Sequence, residues 1–430
     1  MFINREKELK NLSDAIKREE PLIIIYGRRR VGKTALSLHF SKRMKRIYYL
    51  ARESGNLRRF IETAEEVIPD VSDIREDWES VFRFLDGKVD VIIIDEFQNL
   101  IKEDKRILST FQAIVDLHLK RTKLILLGSS VSMMTSKVLS YQSPLYGRRA
   151  LSLKITPMDI FDAIKFYDGI TPEEMLNIYG LTDGIPYYLK KVKPPFKRWL
   201  DNELANPTFI RDEVDFLLRY EFEEPTTYKC ILEAIANGNT ELGRIKNYCG
   251  FRKTDITPYL RNLMTVGILT RRVPITETVR TRKGRYYISD NFITFWFRFI
   301  SPKLNELEEG ILRFKDFKKE YNSYLGFVFE KVAYQYLLRN RQYRFTRIGK
   351  WWDKDNEIDL ITIDENRKIA TFYEVKWKDI SNPNKIIDDL IERSGHLYPD
   401  MKKRYVIFAR SFKKRSERAT CIDIKEMFKK

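Results

Sequence analysis

Short apolar runs at 22–26, 47–50, 91–94 and 124–127 stand in the first third of the chain. Each is Leu-rich or β-branched and too brief for a helix, as strands buried on both faces of a parallel sheet are. Between them apolar residues recur at helical spacing, as at 57–67 and 107–119. This alternation predicts a doubly wound α/β unit over 1–155. From 156 to 225 the pattern is mostly helical, punctuated by Pro157, Pro172, Pro186, Pro194 and Pro195, and predicts a helical lid. The stretch 226–302 reads as three helices and a two-stranded ribbon, 303–321 as a charged helical connector, and 322–430 as a last α/β unit. No internal repeat or low-complexity segment interrupts this order.

Composition narrows the class. With 430 residues, 43% hydrophobic and 13% aromatic, the chain can build several cores, which excludes overall disorder. Lys plus Arg number 79 against 61 Asp plus Glu, a net +18, which suggests a polyanionic partner. Nucleic acid comes first and an anionic membrane surface second. Cys230, Cys249 and Cys421 are scattered, as are His39, His118 and His396, so neither a disulfide framework nor a zinc site is expected. No apolar run reaches the ~18 residues of a membrane span. The first residues, with Arg5, Glu6, Lys7, Glu8 and Lys10, do not lead into an apolar leader. A cytoplasmic, reducing location is expected.

The first apolar run leads directly into Gly27-Arg28-Arg29-Arg30-Val31-Gly32-Lys33-Thr34, with Ala35 next on the following helix. A glycine-flanked loop ending in Lys-Thr, between strand and helix, is a phosphate-binding loop. Gly27 and Gly32 let the backbone N–H groups turn inward, and the helix N-terminus favours the anion. Lys33 is expected to reach the β- and γ-phosphates of ATP, and the Thr34 hydroxyl to bind Mg²⁺. The run at 91–94 ends in Asp95-Glu96, at the sheet edge where ligands of open α/β sheets bind. Asp95 is expected to hold Mg²⁺ through water and Glu96 to orient the attacking water. Ser129 and Ser130 follow the run at 124–127 and are expected near the γ-phosphate. Further on, Arg148 in Pro144-Leu145-Tyr146-Gly147-Arg148 is a candidate to neutralise transition-state charge, in cis or across a subunit interface of a homo-oligomer. A solvated or nucleic-acid-facing basic pair with Arg149 is the competing reading.

These segments, in this order, resemble the archaeal ATPases of the STAND branch of AAA-like P-loop proteins. The resemblance rests on Phe2-Ile3-Asn4-Arg5-Glu6 with Leu9, on 27–34, on Asp95-Glu96-Phe97-Gln98, on Gly128-Ser129-Ser130, on 144–148 and on Gly184-Ile185-Pro186. It covers roughly residues 1–300. It implies that Arg5 and Pro186 lie near the nucleotide base. Read from the residues alone, Gly184 and Pro186 equally make a turn between helices.

The segment 226–302 suggests a helix-turn-helix with a wing. Helical spacing covers 226–236, Thr240 is placed to cap a helix over 241–248, another helix covers 255–266, and 268–273 with 285–288 form the wing strands. Eleven Lys/Arg face two Asp/Glu between Arg244 and Arg285, six of the basic residues (Arg271, Arg272, Arg280, Arg282, Lys283 and Arg285) in the wing. DNA-phosphate contact is one reading. Packing as a regulatory lid on the ATPase is the other. The aromatic run 291–300 reads as a buried helix.

In the last unit Glu330 lies on an apolar helix at 325–338, Asp359 in a strand-like run at 357–361, and Glu374 and Lys376 in another at 372–377. Strand alternation places Glu374 and Lys376 on one face, where Asp359 from a neighbouring strand can meet them. Acidic oxygens so gathered suit Mg²⁺ or Mn²⁺, and a nearby lysine suits an attacking water or a crowded phosphate. The order helical Glu, Asp, Glu-x-Lys, preceded by Gly349-Lys350-Trp351-Trp352, resembles the PD-(D/E)xK nuclease superfamily over about 322–410. The resemblance implies Asp359 and Glu374 as metal ligands, Glu330 as helper ligand and Lys376 as catalytic lysine. Ile358 replaces the proline of the superfamily pattern. The tail 401–430, with eleven Lys/Arg and three Asp/Glu, adds to the basic surface. The expectation is an Mg-ATP-switched ATPase that binds DNA and cleaves its phosphodiesters. The alternative is a regulatory ATPase that binds DNA or a protein without cleaving.

Overall fold

The computed structural model describes residues 2–251, 254–340, 342–354 and 356–429. The chain forms two compact units, Met1–Pro157 with Ile185–Tyr187, and Met158–Gly184 with Tyr188–Lys430.

In the first unit five parallel strands form one sheet: β1 Leu22–Tyr26, β2 Arg46–Leu50, β3 Val91–Asp95, β4 Lys123–Gly128 and β5 Arg149–Lys154, in the order β2-β3-β4-β1-β5. Alternate residues of the same strands serve two cores. Ile24, Ile92, Ile94 and Leu126 meet Phe60, Phe82, Phe97 and Phe111 on one face. On the other face Ile23, Ile25, Ile93 and Leu127 meet Leu12 and Leu36. Burial on both faces is why these strands read as unbroken apolar runs. The edge strand β5 has no such run, because Arg149, Ser152 and Lys154 alternate with Ala150, Leu151 and Leu153.

The second unit carries helices, a ribbon and a second sheet. The helices Pro225–Ala236, Leu242–Tyr248 and Thr257–Val266 precede the antiparallel ribbon β6 Leu269–Arg272 and β7 Arg285–Ile288. The last sheet contains β8 Arg347–Asp353, β9 Asn356–Asp364, β10 Ile369–Ile380, β11 Lys402–Phe412 and β12 Thr420–Asp423, in the order β12-β11-β10-β9-β8. Strands β8, β9 and β10 are antiparallel, whereas β10, β11 and β12 are parallel. Packed on β10 is the helix Lys318–Arg339, which buries Leu325, Val328, Phe329 and Val332.

Three expectations are corrected. The segment 303–321 is not a charged helical connector. It breaks at Gly310 (φ 68°), its buried Leu307, Leu312, Phe314 and Phe317 anchor it to the unit, and the long helix already begins at Lys318. Thr240 does not cap the next helix, which starts at Leu242 behind Glu241; the Thr240 carbonyl instead accepts the Tyr286 N–H at 2.7 Å. Cys230 and Cys249 form a disulfide, with Cα atoms 5.8 Å apart. The helix–turn–helix path closes a separation of 19 residues that no local spacing motif reveals. The expected absence of a disulfide is therefore wrong, and the cysteines no longer argue for a reducing location. The aromatic run 291–300 is buried, through Phe292, Phe295, Trp296, Phe297 and Phe299. Among the described residues no helix is long and apolar enough to cross a membrane.

Candidate functional site

The loop between β1 and the helix Lys33–Phe40 wraps its own lysine. Lys33 Nζ donates to the carbonyls of Gly27 at 2.8 Å and Arg28 at 2.9 Å, so its charge is held over the mouth of the loop. Gly27, Arg30 and Gly32 all have positive φ (151°, 70° and 95°). At Gly27 a Cβ would stand 2.3 Å from the Ile155 carbonyl oxygen, so only glycine lets the loop lie this close to the strand end. Arg28 and Val31 are buried, while Ala35 is exposed on the first helical turn. Arg30 lies over the Tyr187 ring at 4.1 Å.

Arg5 and Pro186 both reach this loop. The Arg5 guanidinium donates to the Val31 carbonyl at 3.2 Å and the Thr156 carbonyl at 2.7 Å, and pairs with Glu8 at 2.9 Å. It therefore straps the loop. Pro186 Cγ lies 3.8 Å from where a Gly32 Cβ would be.

The acids of β3 complete the rim. The Thr34 hydroxyl donates to Asp95 Oδ2 at 2.5 Å, and Tyr48 donates to the same oxygen at 3.0 Å. Burial, then the negative charge of Asp95 and Glu96, pushes the Tyr48 hydroxyl far above its usual pKa, keeping it a donor. Glu96 has φ 55°, and its carboxylate accepts from Gln98 and Ser129. Ser129 thus meets Glu96 at the end of β4. A hydroxyl and a carboxylate converging beside a lysine-capped loop are the hard oxygen donors that a Mg-nucleotide requires.

Arg148 is elsewhere. It precedes β5, at the sheet edge opposite the loop, where Nε pairs with Asp116 at 2.7 Å and a guanidinium nitrogen meets the Pro144 carbonyl at 3.0 Å. Five strand residues separate the two edges, on the order of 15 Å. On this geometry Arg148 does not reach the loop of its own chain, and the cis role fails.

In the second unit, Glu330, Asp359, Glu374 and Lys376 open onto one cavity of about 820 Å³. Glu374 and Lys376 share a strand face, with Nζ to Oε1 at 2.6 Å, and Lys376 stands 3.9 Å from Asp359. Asp359 accepts the Val375 N–H at 2.8 Å. Burial, aided by Glu330 and Glu374, raises the Asp359 pKa to about 7. For Lys376, burial pulls the pKa down, but Asp359 and Glu374 outweigh it and leave it raised. Two further cations, neither assigned a role from sequence, sit among these acids. Lys350 pairs with Glu330 and, at 3.5 Å, with Glu357, and Arg393 pairs with Glu374 at 2.9 Å. Lys350 stands in the Gly-Lys-Trp-Trp segment, but nothing in that pattern tells that it points inward. Arg393 arrives on the helix Asn384–Ser394, far from the motif in sequence. Among the described residues no group of three or more His, Cys, Asp or Glu stands at metal-holding spacing. The oxygen chemistry suits a divalent cation, but the ion pairs occupy it.

The ribbon β6–β7 is less free than its charge suggests. Ile275, between its strands, is buried in the core of the last sheet, and its N–H donates to the Lys350 carbonyl at 2.7 Å. Trp352 Nε1 donates to the Lys283 carbonyl at 3.2 Å, and Arg285 stands 3.6 Å from Glu357. Arg271 folds inward, donating to the Val279 carbonyl at 2.7 Å and the Thr281 carbonyl at 2.5 Å. Exposed Arg280 and Arg282 have no ion pair or hydrogen bond among the described residues. Arg252, Lys253 and Lys430, counted in the basic stretches, lie outside the described residues.

This glycine loop, acid-tipped strand and parallel sheet define an ATP-binding Walker-type ATPase. Residues 2–192 match the family described as an ATPase domain predominantly from Archaea, and 296–386 match a family of archaeal and bacterial proteins of unknown function. An uncharacterised protein of Methanocaldococcus jannaschii is 51% identical over 98% of both chains. The chain belongs to the same protein family as that protein, one carrying an archaeal ATPase domain. An uncharacterised ATP-binding protein of Pyrococcus abyssi is 28% identical over 44% of this chain and 68% of its own. The solved structure of a Walker-type ATPase of Pyrococcus abyssi matches in fold with a TM-score of 0.53, 23% identity, and coverage of 69% of this chain and 96% of that one.

Proposed function

We propose that this ATPase binds Mg-ATP at the glycine-flanked loop, engages DNA through its second unit, and hydrolyses phosphodiesters with a divalent metal at the acidic cavity. The observation that carries the cleavage reading is that Glu330, Asp359, Glu374 and Lys376, from one helix and two strands, open onto a single cavity. The ATP-binding relative in Pyrococcus abyssi supports the nucleotide half.

At the loop, Lys33 exchanges its two carbonyl partners for β- and γ-phosphate oxygens. Thr34 and Asp95 would hold Mg²⁺, which would supply positive charge against the phosphates. Glu96, steadied by Gln98 and Ser129, orients the attacking water and takes its proton. At the acidic cavity Asp359 and Glu374 would hold the divalent cation, with Glu330 assisting. Lys376 orients the nucleophilic water or stabilises the crowded phosphate. Before that, Lys350 must leave Glu330, and Arg393 must leave Glu374. Nucleotide state is the lever we assign to this opening.

A second reading, a regulatory ATPase without cleavage, is favoured by the ion pairs that already satisfy Glu330 and Glu374. Supercoiled, linear and branched DNA incubated with Mg²⁺ or Mn²⁺, with and without ATP, separates the two. The cleavage reading expects nicking, reduced about a hundredfold or more in Lys376→Ala. It also expects Lys33→Ala to weaken ATP binding at least about tenfold and remove ATP control. No nicking of any substrate leaves the regulatory reading.

A further inference from the structure

A second cavity, of about 840 Å³, opens inside the second unit between the ribbon module and the first strands of the last sheet. Its volume is that of a small-molecule site. The helix Lys318–Arg339 forms one wall and turns Phe327, Tyr334 and Leu338 to it. These three are 59%, 37% and 55% exposed. Large apolar side chains left open on one helix face beside a concavity mark a ligand-facing wall.

Charge points the same way. Lys350 and Lys331 line the cavity, but each has a carboxylate partner, Glu330 and Asp183. Arg272 and Arg298 line it too, and the guanidinium of neither has a hydrogen bond or ion pair among the described residues. Each stands by aromatic rings. Arg272 stands 5.3 Å from the Tyr287 centroid, and Arg298 stands 5.7 Å from those of Tyr324 and Phe327. Burial draws the Arg298 pKa down. Arg272 is exposed at the rim, but Arg298 is half-buried; a half-buried guanidinium without an anion is an incomplete arrangement, and a phosphate completes it.

We propose that this cavity binds a nucleoside phosphate, the phosphate on the two arginines and the base against the aromatic wall. It shares no residue with the glycine loop, so it is a nucleotide site separate from the ATPase centre. It shares Phe327 and Glu330 with the acidic cavity, so an occupant would lie beside the Lys350–Glu330 pair.

The test uses full-length protein carrying Lys33→Ala, which silences the loop. The four nucleoside monophosphates and their free nucleosides are titrated calorimetrically. One saturable site per chain is expected, with the matching nucleoside at least about tenfold weaker. Arg298→Met is expected to weaken binding at least about tenfold, Arg298→Lys to recover part of it, and Lys376→Ala to leave it unchanged. Should Arg298→Met fold poorly, Phe327→Asp, at an exposed wall position, is expected to give the same loss. No saturable binding of any of the four at millimolar concentration overturns the proposal. So does affinity that survives both Arg298→Met and Phe327→Asp, or affinity that Lys376→Ala abolishes.

Discussion

At the scale of single residues, the phosphate loop is specified by contacts that tolerate no added atom. Gly27→Ala forces a Cβ to 2.3 Å from a backbone oxygen at φ 151°. Strain of this kind costs about 1–3 kcal/mol. The variant is expected to melt lower and to bind ATP at least about tenfold more weakly, read by thermal unfolding and nucleotide titration. Asp183 gives a pH prediction. Burial, opposed by its Lys331 partner and reinforced by Asp290, raises its pKa to about 6. A carboxyl raised in the folded state contributes stability that is present below its ordinary pKa and lost as pH rises through about 6. Urea midpoints from about pH 4.5 to 7 are expected to fall across this window, and Asp183→Asn to flatten that part of the decline. Gly27, Lys33, Thr34 and Asp95 were legible because their spacing carries a mechanism. Lys350, Arg393 and Arg298 were not, because a cation turned inward has the same sequence signature as one turned to water.

At the scale of elements, the fully buried strands announced themselves, and the half-exposed ones did not. β1, β3 and β4 are apolar on both faces, whereas β5 alternates with Arg149, Ser152 and Lys154. The ribbon illustrates what pattern alone leaves open. Its strands were readable, but its docking on β8 was not, because Ile275 is one apolar residue in a polar loop. That residue enters the core beside Trp351, Ile358 and Ile361. Truncating a buried isoleucine to alanine costs about 2–5 kcal/mol. Ile275→Ala is expected to lower stability within that range and to raise amide exchange in β6, β7 and β8 together. Unchanged exchange in the ribbon would show that the contact does not hold it.

At the scale of the whole molecule, the net +18 is distributed unevenly in usefulness. Arg271, Lys283 and Arg285 are spent on internal bonds, whereas Arg280 and Arg282 remain outward and unpaired among the described residues. If the ribbon meets DNA, these two make the phosphate contacts. Replacing both with alanine is expected to reduce the slope of log affinity against log salt by about two, with little change between sequences. An unaltered slope would move DNA contact to another surface. β8 forms the outer margin of the last sheet, and Ile275 caps it through the Lys350 carbonyl. Uncapped margins of this kind recruit strands from other copies. The ribbon therefore doubles as a guard on that margin, and proteolytic nicking between 272 and 285 would open it to strand pairing and aggregation.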